Sequence, residues 1–392
     1  MKQRIKLRSI IQQVRGVSYK PIDIKAAGDP DAIALLRANN IQDDGLNFED
    51  LIFIDKKKVR SNQMILKGDI LICTSSGSKN LVGKAVIADR DLPCTFGAFC
   101  KIVRVKAMDA AFVGHFFQSP RYRREISKAS AGANINNIRN EHIDDMEILV
   151  YSDAEQHRIA VVLDKVSDLI AKHRQQLDKL DELVKSRFIK MFGDPVLNPF
   201  EWSTRPLLEM GYCKNGMNFH TGDRGIEMHC LGVGDFKEYS VIDGTDHLPI
   251  VSLNEVPSEE SMLQDGDIVF VRSNGNKALV GRCLVVYPRS TPTTYSGFCI
   301  RYRLTGDEVN TAYLLRVLKT DSMRERMAGR GANIQNLNQQ ILATLEIPTP
   351  PMRLQEQFAA FVAQTDKSKL AIKQSLEKLE TLKKSLLQKY FG

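Results

Sequence analysis

The chain is written twice. AGANINNI, from Ala131, returns as RGANIQNL from Arg330, so that Gly132 and Gly331 stand 199 positions apart in 392 residues. KGDILICTSSGSKNLVGKAV from Lys67 is answered by DGDIVFVRSNGNKALVGRCL from Asp265, and Phe99-Cys100 by Phe298-Cys299. RGVSY from Arg15 pairs with NGMNF from Asn215, EIL from Glu147 with EIP from Glu346, and MFG ending at Gly193 with YFG ending at Gly392. The order is the same throughout and the offset stays between 198 and 201. A period this long is not that of a solenoid, so each copy is a domain plus whatever joins it to the next.

Each copy changes character along its length. DILIC and KAVIA in the first, and DIVFV and RCLVVY in the second, are short β-branched runs, with SSGSKN and SNGNKA as the turns after the first strand. Helical spacing follows in DAAFVGHFFQSPRYRREISK and NTAYLLRVLKTDSMRERM. Each copy then closes with one long helix. From Ala154 to Met191 there is no Pro or Gly, and large side chains recur at Ile159, Leu163, Val166, Ile170, His173, Leu177, Leu180, Val184, Phe188 and Met191. Steps of four and three make this a heptad seam. At about 1.5 Å per residue such a helix is on the order of 57 Å long, more than a domain of this size needs.

The second copy repeats the helix from about Leu354 to Phe391, with Phe358, Phe361, Ile372, Leu376, Leu379, Leu382, Leu386 and Tyr390 on the seam and Thr365 and Lys369 weakening its middle. A single amphipathic helix of this length needs cover for its stripe, and the other copy is the nearest source. Gly193-Asp194-Pro195 stops the first helix, and IPTPP, ending at Pro351, introduces the second. The expected fold class is α+β: a tandem duplication of two mixed α/β domains, residues 1–150 and 194–350, each followed by a long helix, 151–193 and 351–392. The two helices are expected to pair as an antiparallel coiled coil.

Composition narrows the function. No stretch reaches the 18 to 20 apolar residues of a membrane span, and MKQRIKLRSIIQQVRG lacks the apolar core of a signal peptide, so no membrane partner is expected and the cytoplasm is the expected compartment. Seven cysteines with no C-x-x-C pair fit reduced thiols. His229-Cys230, with Cys213, His220 and His247 nearby, matches no zinc spacing, and no metal is expected. A net charge of +8 permits nucleic acid without demanding it.

Catalytic look-alikes fail on chemistry. GSKNLVGKA from Gly77 has five residues between its glycines where a phosphate loop has four, and Ala85 stands where the magnesium hydroxyl belongs. NPFEW from Asn198 lacks one proline of an adenine methyltransferase loop and directly follows a helix end. Pro30-Asp31 with Asp55-Lys56-Lys57 satisfies only a loose nuclease pattern. No catalytic residue is assigned.

A duplicated module on two antiparallel struts gives one chain the pseudo-two-fold symmetry that homodimeric DNA binders obtain by pairing subunits. The two copies share a frame, including Gly77/Gly275, Leu81/Leu279, Val82/Val280 and Gly83/Gly281, and differ in side chains able to bond bases. Thr74 answers Arg272, Ser76 answers Asn274, Ser78 answers Asn276, Asn80 answers Ala278, Asn136 answers Gln335 and Arg139 answers Asn338. Asn and Gln suit adenine edges, Arg suits guanine, and Lys79 and Lys277 suit phosphate. These are the candidate DNA contacts, although Ser, Asn and Gly also gather in turns for backbone reasons. The candidate helix-pair and partner interface is Ile159, Leu163, Val166, Ile170, Leu177 and Leu180 with Phe358, Phe361, Ile372, Leu376 and Leu379. In the GANI runs, Gly132 and Gly331 are expected to permit a turn and Asn134 and Asn333 to cap the following helix, with Arg330 available to phosphate.

The order Gly-Asp-Ile, Leu-Val-Gly, Gly-Ala-Asn-Ile, Glu-Ile-Leu or Glu-Ile-Pro, then Glu-Gln at the helix start (Glu155-Gln156 and Glu356-Gln357), twice over essentially the whole chain, resembles the specificity subunit of Type I restriction-modification systems. The resemblance implies two target recognition domains, each reading half of a bipartite sequence in double-stranded DNA. It implies helices that act as spacer and as docking surface for two methyltransferase subunits. Those partners, not this chain, would bind S-adenosylmethionine and flip out an adenine for N6 methylation, and restriction subunits would add ATP- and Mg-dependent translocation and cleavage. This chain would bind no cofactor. Two rival readings are a coiled-coil assembly scaffold without sequence-specific DNA binding, and a standalone nuclease or methyltransferase.

Overall fold

In the computed structural model two compact units divide the chain, Met1–Leu177 with Ala371–Gly392, and Asp178–Leu370. The residues described are 3–42, 45–78, 81–130, 137–220, 222–237, 240–328 and 336–392, with Ala129, Ser130, Lys237, Lys277 and Ala328 described only in their backbone. The GANI runs, Arg330, Lys79, Asn80, Asn136 and Gln335 lie outside the described residues.

The first unit is built on a four-stranded antiparallel sheet in the order Ile11–Arg15, Cys100–Val105, Ile70–Cys73, Ala85–Ile87. DILIC forms a strand buried from Ile70 to Cys73. Its alternate side chains feed different cores: Ile70 and Ile72 meet Phe112, Phe116 and Leu163, whereas Leu71 and Cys73 meet Leu36, Phe96 and Ile102. A strand covered on both faces needs an unbroken apolar run, and the sequence supplies it. One face carries the helices α1 (Ala110–Phe116), α2 (Pro120–Ser130) and α3 (Asn140–Asp144). A second sheet runs Ile52–Asp55, Ala32–Leu36, Cys94–Phe96, its last pair parallel. Arg4–Lys6 pairs with Glu147–Leu149, so the start and end of the domain close on one another.

The second unit repeats this plan. Its main sheet runs Gly211–Asn215, Cys299–Leu304, Asp267–Val271, Cys283–Tyr287 and gains a parallel edge strand, Val241–Asp243. Ile268 and Phe270 enter one core, Val269 and Val271 the other. The smaller sheet is Ile250–Leu253, Ile226–Leu231, Thr293–Tyr295, and Thr204–Pro206 pairs with Glu346–Pro348. The helices are α5 (Thr311–Leu318), α6 (Asp321–Ala328) and α7 (Gln339–Ala343). In both units the helical stretch is broken in two where a hydroxyl restarts it. Ser119 Oγ accepts from the Tyr122 N–H at 3.2 Å and Thr320 Oγ1 from the Met323 N–H at 3.4 Å.

Each long helix has 40 residues, α4 over Asp153–Phe192 and α8 over Met352–Phe391. The compact units divide inside these helices rather than at residues 150 and 350. In the first unit Tyr151 donates to the Tyr390 carbonyl, His173 Nε2 lies 3.0 Å from Ser375 Oγ, and Arg174 pairs with Glu380 at 2.8 Å. In the second, Asp181 takes Lys369 at 2.5 Å and the Phe188 ring lies 5.5 Å from that of Phe358. From Tyr151, just before α4, to His173 and Arg174 the partners move from Tyr390 back to Ser375 and Glu380, and from Asp181 to Phe188 they move from Lys369 back to Phe358, so within each unit the segments run antiparallel. Ile159, Leu163, Val166, Ile170 and Phe358 are buried, and Leu177, Leu180, Phe361, Ile372, Leu376 and Leu379 half-buried.

Three details correct the sequence reading. Leu382 is 45% exposed, and half-buried Lys383 takes its place on the seam. The residue answering Gln156 is Gln355, not Gln357: each is buried, with its side-chain carbonyl accepting the N–H of the helix-capping residue, Asp109 at 2.9 Å or Asn310 at 2.8 Å. Glu-Gln is thus displaced by two residues in the second copy. The helices after the GANI runs begin at Asn140 and Gln339, too late for Asn134 or Asn333 to cap, and the cap positions are Arg139 and Asn338.

Candidate nucleic-acid interface

In each unit three segments meet at the end of the central strand. After Cys73 the chain turns outward, and the Thr74 and Ser75 N–H groups donate to the Phe99 carbonyl at 2.9 and 3.2 Å. The Ile138 N–H donates to the Thr74 carbonyl at 2.9 Å, and Ser75 bridges Asn137. In the second unit the Arg272 and Ser273 N–H groups donate to the Phe298 carbonyl at 2.8 and 3.3 Å, Leu337 donates to Arg272 at 2.8 Å, and Ser273 bridges Asn336. The same backbone frame therefore carries different side chains.

Glycine makes the return from this turn possible. Gly83 and Gly281 have φ of +81° and +77°, and their N–H groups donate to the Cys73 and Val271 carbonyls at 2.8 and 3.0 Å. The positive φ shared by both accounts for the repeated glycine of Leu-Val-Gly, and a Cβ on Gly83 would in addition stand 2.7 Å from Ile126 Cγ2. An arginine from the second helix straps each turn: Arg123 Nη1 donates to Val82 O at 3.1 Å, and Arg324 Nη2 to Ala278 O at 3.0 Å.

On this frame Ser78, Arg139, Asn276 and Asn338 are exposed, and Ser76, Arg272 and Asn274 half-buried. Several hold the turn as well as face outward. Ser76 Oγ accepts from the Ser78 N–H at 3.1 Å, Asn274 Oδ1 from Asn276 at 2.8 Å, Asn276 Oδ1 from Ala278 at 3.0 Å, and Asn338 Oδ1 from Ile341 at 2.8 Å. Arg272 reaches the Gly297 carbonyl at 3.4 Å. Thr74 is a correction: it is 5% exposed and its hydroxyl donates to the Phe99 carbonyl at 3.0 Å, so it builds the turn and does not present itself for contact.

Four exposed residues of the frame escaped the sequence reading. Asn137 and Asn336 are the bridge partners of Ser75 and Ser273, and Phe99 and Phe298 are 69% and 60% exposed. The signal present in the sequence is the repeated Phe-Cys dipeptide, which marks the position and not the exposure of the ring.

The catalytic look-alikes have structural uses. Asn198 bonds both the N–H and the carbonyl of Trp202 in a turn, and Asp55 accepts the Lys57 N–H. Among the described residues, no three His, Cys, Asp or Glu side chains gather to hold a metal ion. His229 Nδ1 lies 2.9 Å from the Leu248 carbonyl, and Cys230 is buried with its thiol pushed up to about 12. His115 is bonded to Asp164 at 2.8 Å in a groove of about 1170 Å³ that Ser167 also lines. Neither the Ser167 hydroxyl nor His115 Nδ1 has a hydrogen-bond partner, so no nucleophile is bonded to a base there.

Comparison with known proteins gives one answer. The family described as Type I restriction modification DNA specificity domain matches residues 22–182 and again 231–383. The chain is 29% identical over 402 residues to the Type I restriction enzyme StySPI specificity subunit of Salmonella potsdam, covering 96% of this chain and 86% of that one. It is likewise 29% identical over 405 residues to the EcoKI specificity subunit of Escherichia coli strain K12, with the same coverage. Its fold is similar to the crystal structure of the S subunit from M. genitalium, with a TM-score of 0.58 at 16% identity over 100% of this chain and 96% of that one. A structure from work on assembly and conformational transition of the Type I R-M system gives 0.55 at 14% identity over 99% and 97%.

Proposed function

The chain belongs to the family of Type I restriction modification DNA specificity domains, of which it carries two copies, and on that premise we propose that its two recognition domains read the two halves of one asymmetric double-stranded DNA target. It is a non-catalytic recognition subunit that acts within a complex and binds DNA. The recognition domains occupy residues 1–150 and 194–350, and their contacts come from Ser76, Ser78, Lys79, Asn80, Asn136 and Arg139 in the first and Arg272, Asn274, Asn276, Lys277, Gln335 and Asn338 in the second. The observation that carries this reading is the repeated frame: Ser75 with Asn137, and Ser273 with Asn336, hold identical bridges beneath side chains that differ. A common frame with divergent side chains suits a division between positioning and base readout.

The seam of α4 and α8 supports docking of two methyltransferase subunits, with restriction subunits joining through them. S-adenosylmethionine, ATP and Mg belong to those partners, and the complex works in the cytoplasm. Among the described residues no helix is long and apolar enough to cross a membrane.

The test is to express the chain with its methyltransferase subunit and map N6-methyladenine across a DNA library. One split, asymmetric motif with a fixed gap is expected, and exchanging residues 194–350 for those of another specificity subunit should change one half alone. Methylation without a split motif, or no modification at all, would overturn the reading and favour the scaffold.

A further inference from the structure

We propose that Phe99 and Phe298 are specificity-determining residues, each setting its ring against the apolar faces of bases in one half-site; the inference rests on the DNA-reading function above. Four observations carry it. The two rings occupy equivalent positions, at the loop that enters the strand Cys100–Val105 or Cys299–Leu304. Each is among the most exposed large apolar side chains of its unit. Each backbone is fixed, because its carbonyl accepts two N–H groups from the facing turn, so the ring is held outward by a rigid loop. Each stands on a frame that, among the described residues, also exposes polar or cationic side chains: Ser78, Asn137 and Arg139 in the first unit, Asn276, Asn336 and Asn338 in the second.

A phenylalanine whose carbonyl holds the turn while its ring stays in water, twice, leaves the greater part of an apolar side chain outside the core. Its neighbours can bond phosphates and base edges, and a ring among them supplies the apolar contact that hydrogen bonding cannot. DNA offers that chemistry in two places: the thymine methyl in the major groove, and the base faces opened when a side chain wedges into a step from the minor groove. Thr74 and Arg272, and Arg139 and Asn338, differ around the two rings while the rings do not, so each ring supplies the same kind of apolar contact to whichever base its own half-site presents.

The experiment uses the full chain in complex with its methyltransferase subunit. The wild-type complex must first yield a split motif; if it does not, the DNA-reading function fails and the ring is not at issue. Given the motif, Phe99→Ala should weaken binding to the full target at least ten-fold, leave binding to a duplex altered in that half unchanged, and relax methylation specificity in that half alone. Phe298→Ala should do the same in the other half. Phe99→Leu, which keeps the apolar bulk, should retain part of the binding if the contact is to a thymine methyl. Uracil in place of thymine should then reproduce the loss, whereas 2-aminopurine emission that rises on binding and disappears in Phe99→Ala identifies a wedge. Variants that bind and methylate as wild type, or that weaken both halves equally, would overturn the proposal. Unchanged thermal melts show that the exposed rings were removed without unfolding.

Discussion

Arg104 grips Asp69 through both carboxylate oxygens, Nε to Oδ1 at 2.8 Å and Nη2 to Oδ2 at 2.7 Å, and also donates to the Met64 carbonyl at 3.1 Å. The second unit repeats the arrangement with Arg303, Asp267 and Met262 at 2.8, 2.7 and 3.0 Å. The aspartates are those of the repeated Gly-Asp-Ile, and both side chains are almost wholly buried. A fork held on both sides and sunk beside the central strand fixes the register of the strand that ends at the proposed DNA frame.

Breaking that fork strands a buried carboxylate. Arg104→Leu should destabilise the protein by about 3–5 kcal/mol, measured by urea unfolding, because removal of one partner leaves the other charge uncompensated. Adding Asp69→Leu should recover much of the loss. If the double variant is no more stable than the single one, the pair is not the source.

The turn after the strand depends on glycine at one position and not at its neighbour. Gly83→Ala places a Cβ at positive φ and against Ile126, and should cost about 1–3 kcal/mol in thermal or chemical melts. Gly77→Ala, in open space at ordinary φ, should change stability by about 0.5 kcal/mol or less. Equal effects of the two substitutions would remove the conformational explanation of Leu-Val-Gly.

The duplication, the two long helices, the seam and the twin strands were all legible in the sequence, because each rests on periodicity or on repetition at a fixed offset. What escaped it was set by contacts distant in sequence. Nothing local distinguishes Gln355 from Gln357; the choice is made by the N–H of Asn310, 45 residues away. Thr74 reads as a turn hydroxyl available to DNA until the Phe99 carbonyl, 25 residues on, is seen to take it. Phe99 and Phe298 stand out in the sequence only as a repeated Phe-Cys dipeptide, because nothing in that dipeptide says that the ring stays in water.

A lysine on the helix seam should make stability rise with pH. Burial, with Arg174 adding to it, holds the Lys383 ammonium below its ordinary value of 10.5, while Asp164 opposes the shift. Between the lowered value and 10.5 the unfolded chain binds more protons than the folded one, so unfolding free energy increases as pH climbs through that window. Lys383→Met removes the charged form and fills the seam with apolar surface. It should stabilise the protein at neutral pH by about 1 kcal/mol, with the advantage shrinking as pH approaches 10.5. Denaturation at pH 7 and pH 10 checks this, and an advantage independent of pH would show that Lys383 is not desolvated.

The two frames make unlike contacts at one shared position, and this separates structure from readout. Thr74 is buried and bonded within its turn, so Thr74→Val should lose about 0.5–1.5 kcal/mol of stability and leave the methylated motif unchanged. Arg272, half-buried with its guanidinium beside the Gly297 carbonyl, can extend toward a guanine edge. Arg272→Ala should therefore cost about 1–3 kcal/mol of target affinity and relax one base position in one half-site. Exposed Arg139 suits a phosphate: Arg139→Ala should weaken binding to all sequences alike and lower the salt slope by about 1. Salt titrations with target and altered duplexes, together with the methylation motif of each variant, read all three effects. If Arg272→Ala weakens every duplex equally, that arginine contacts backbone and the second half-site is read by Asn274, Asn276 and their neighbours.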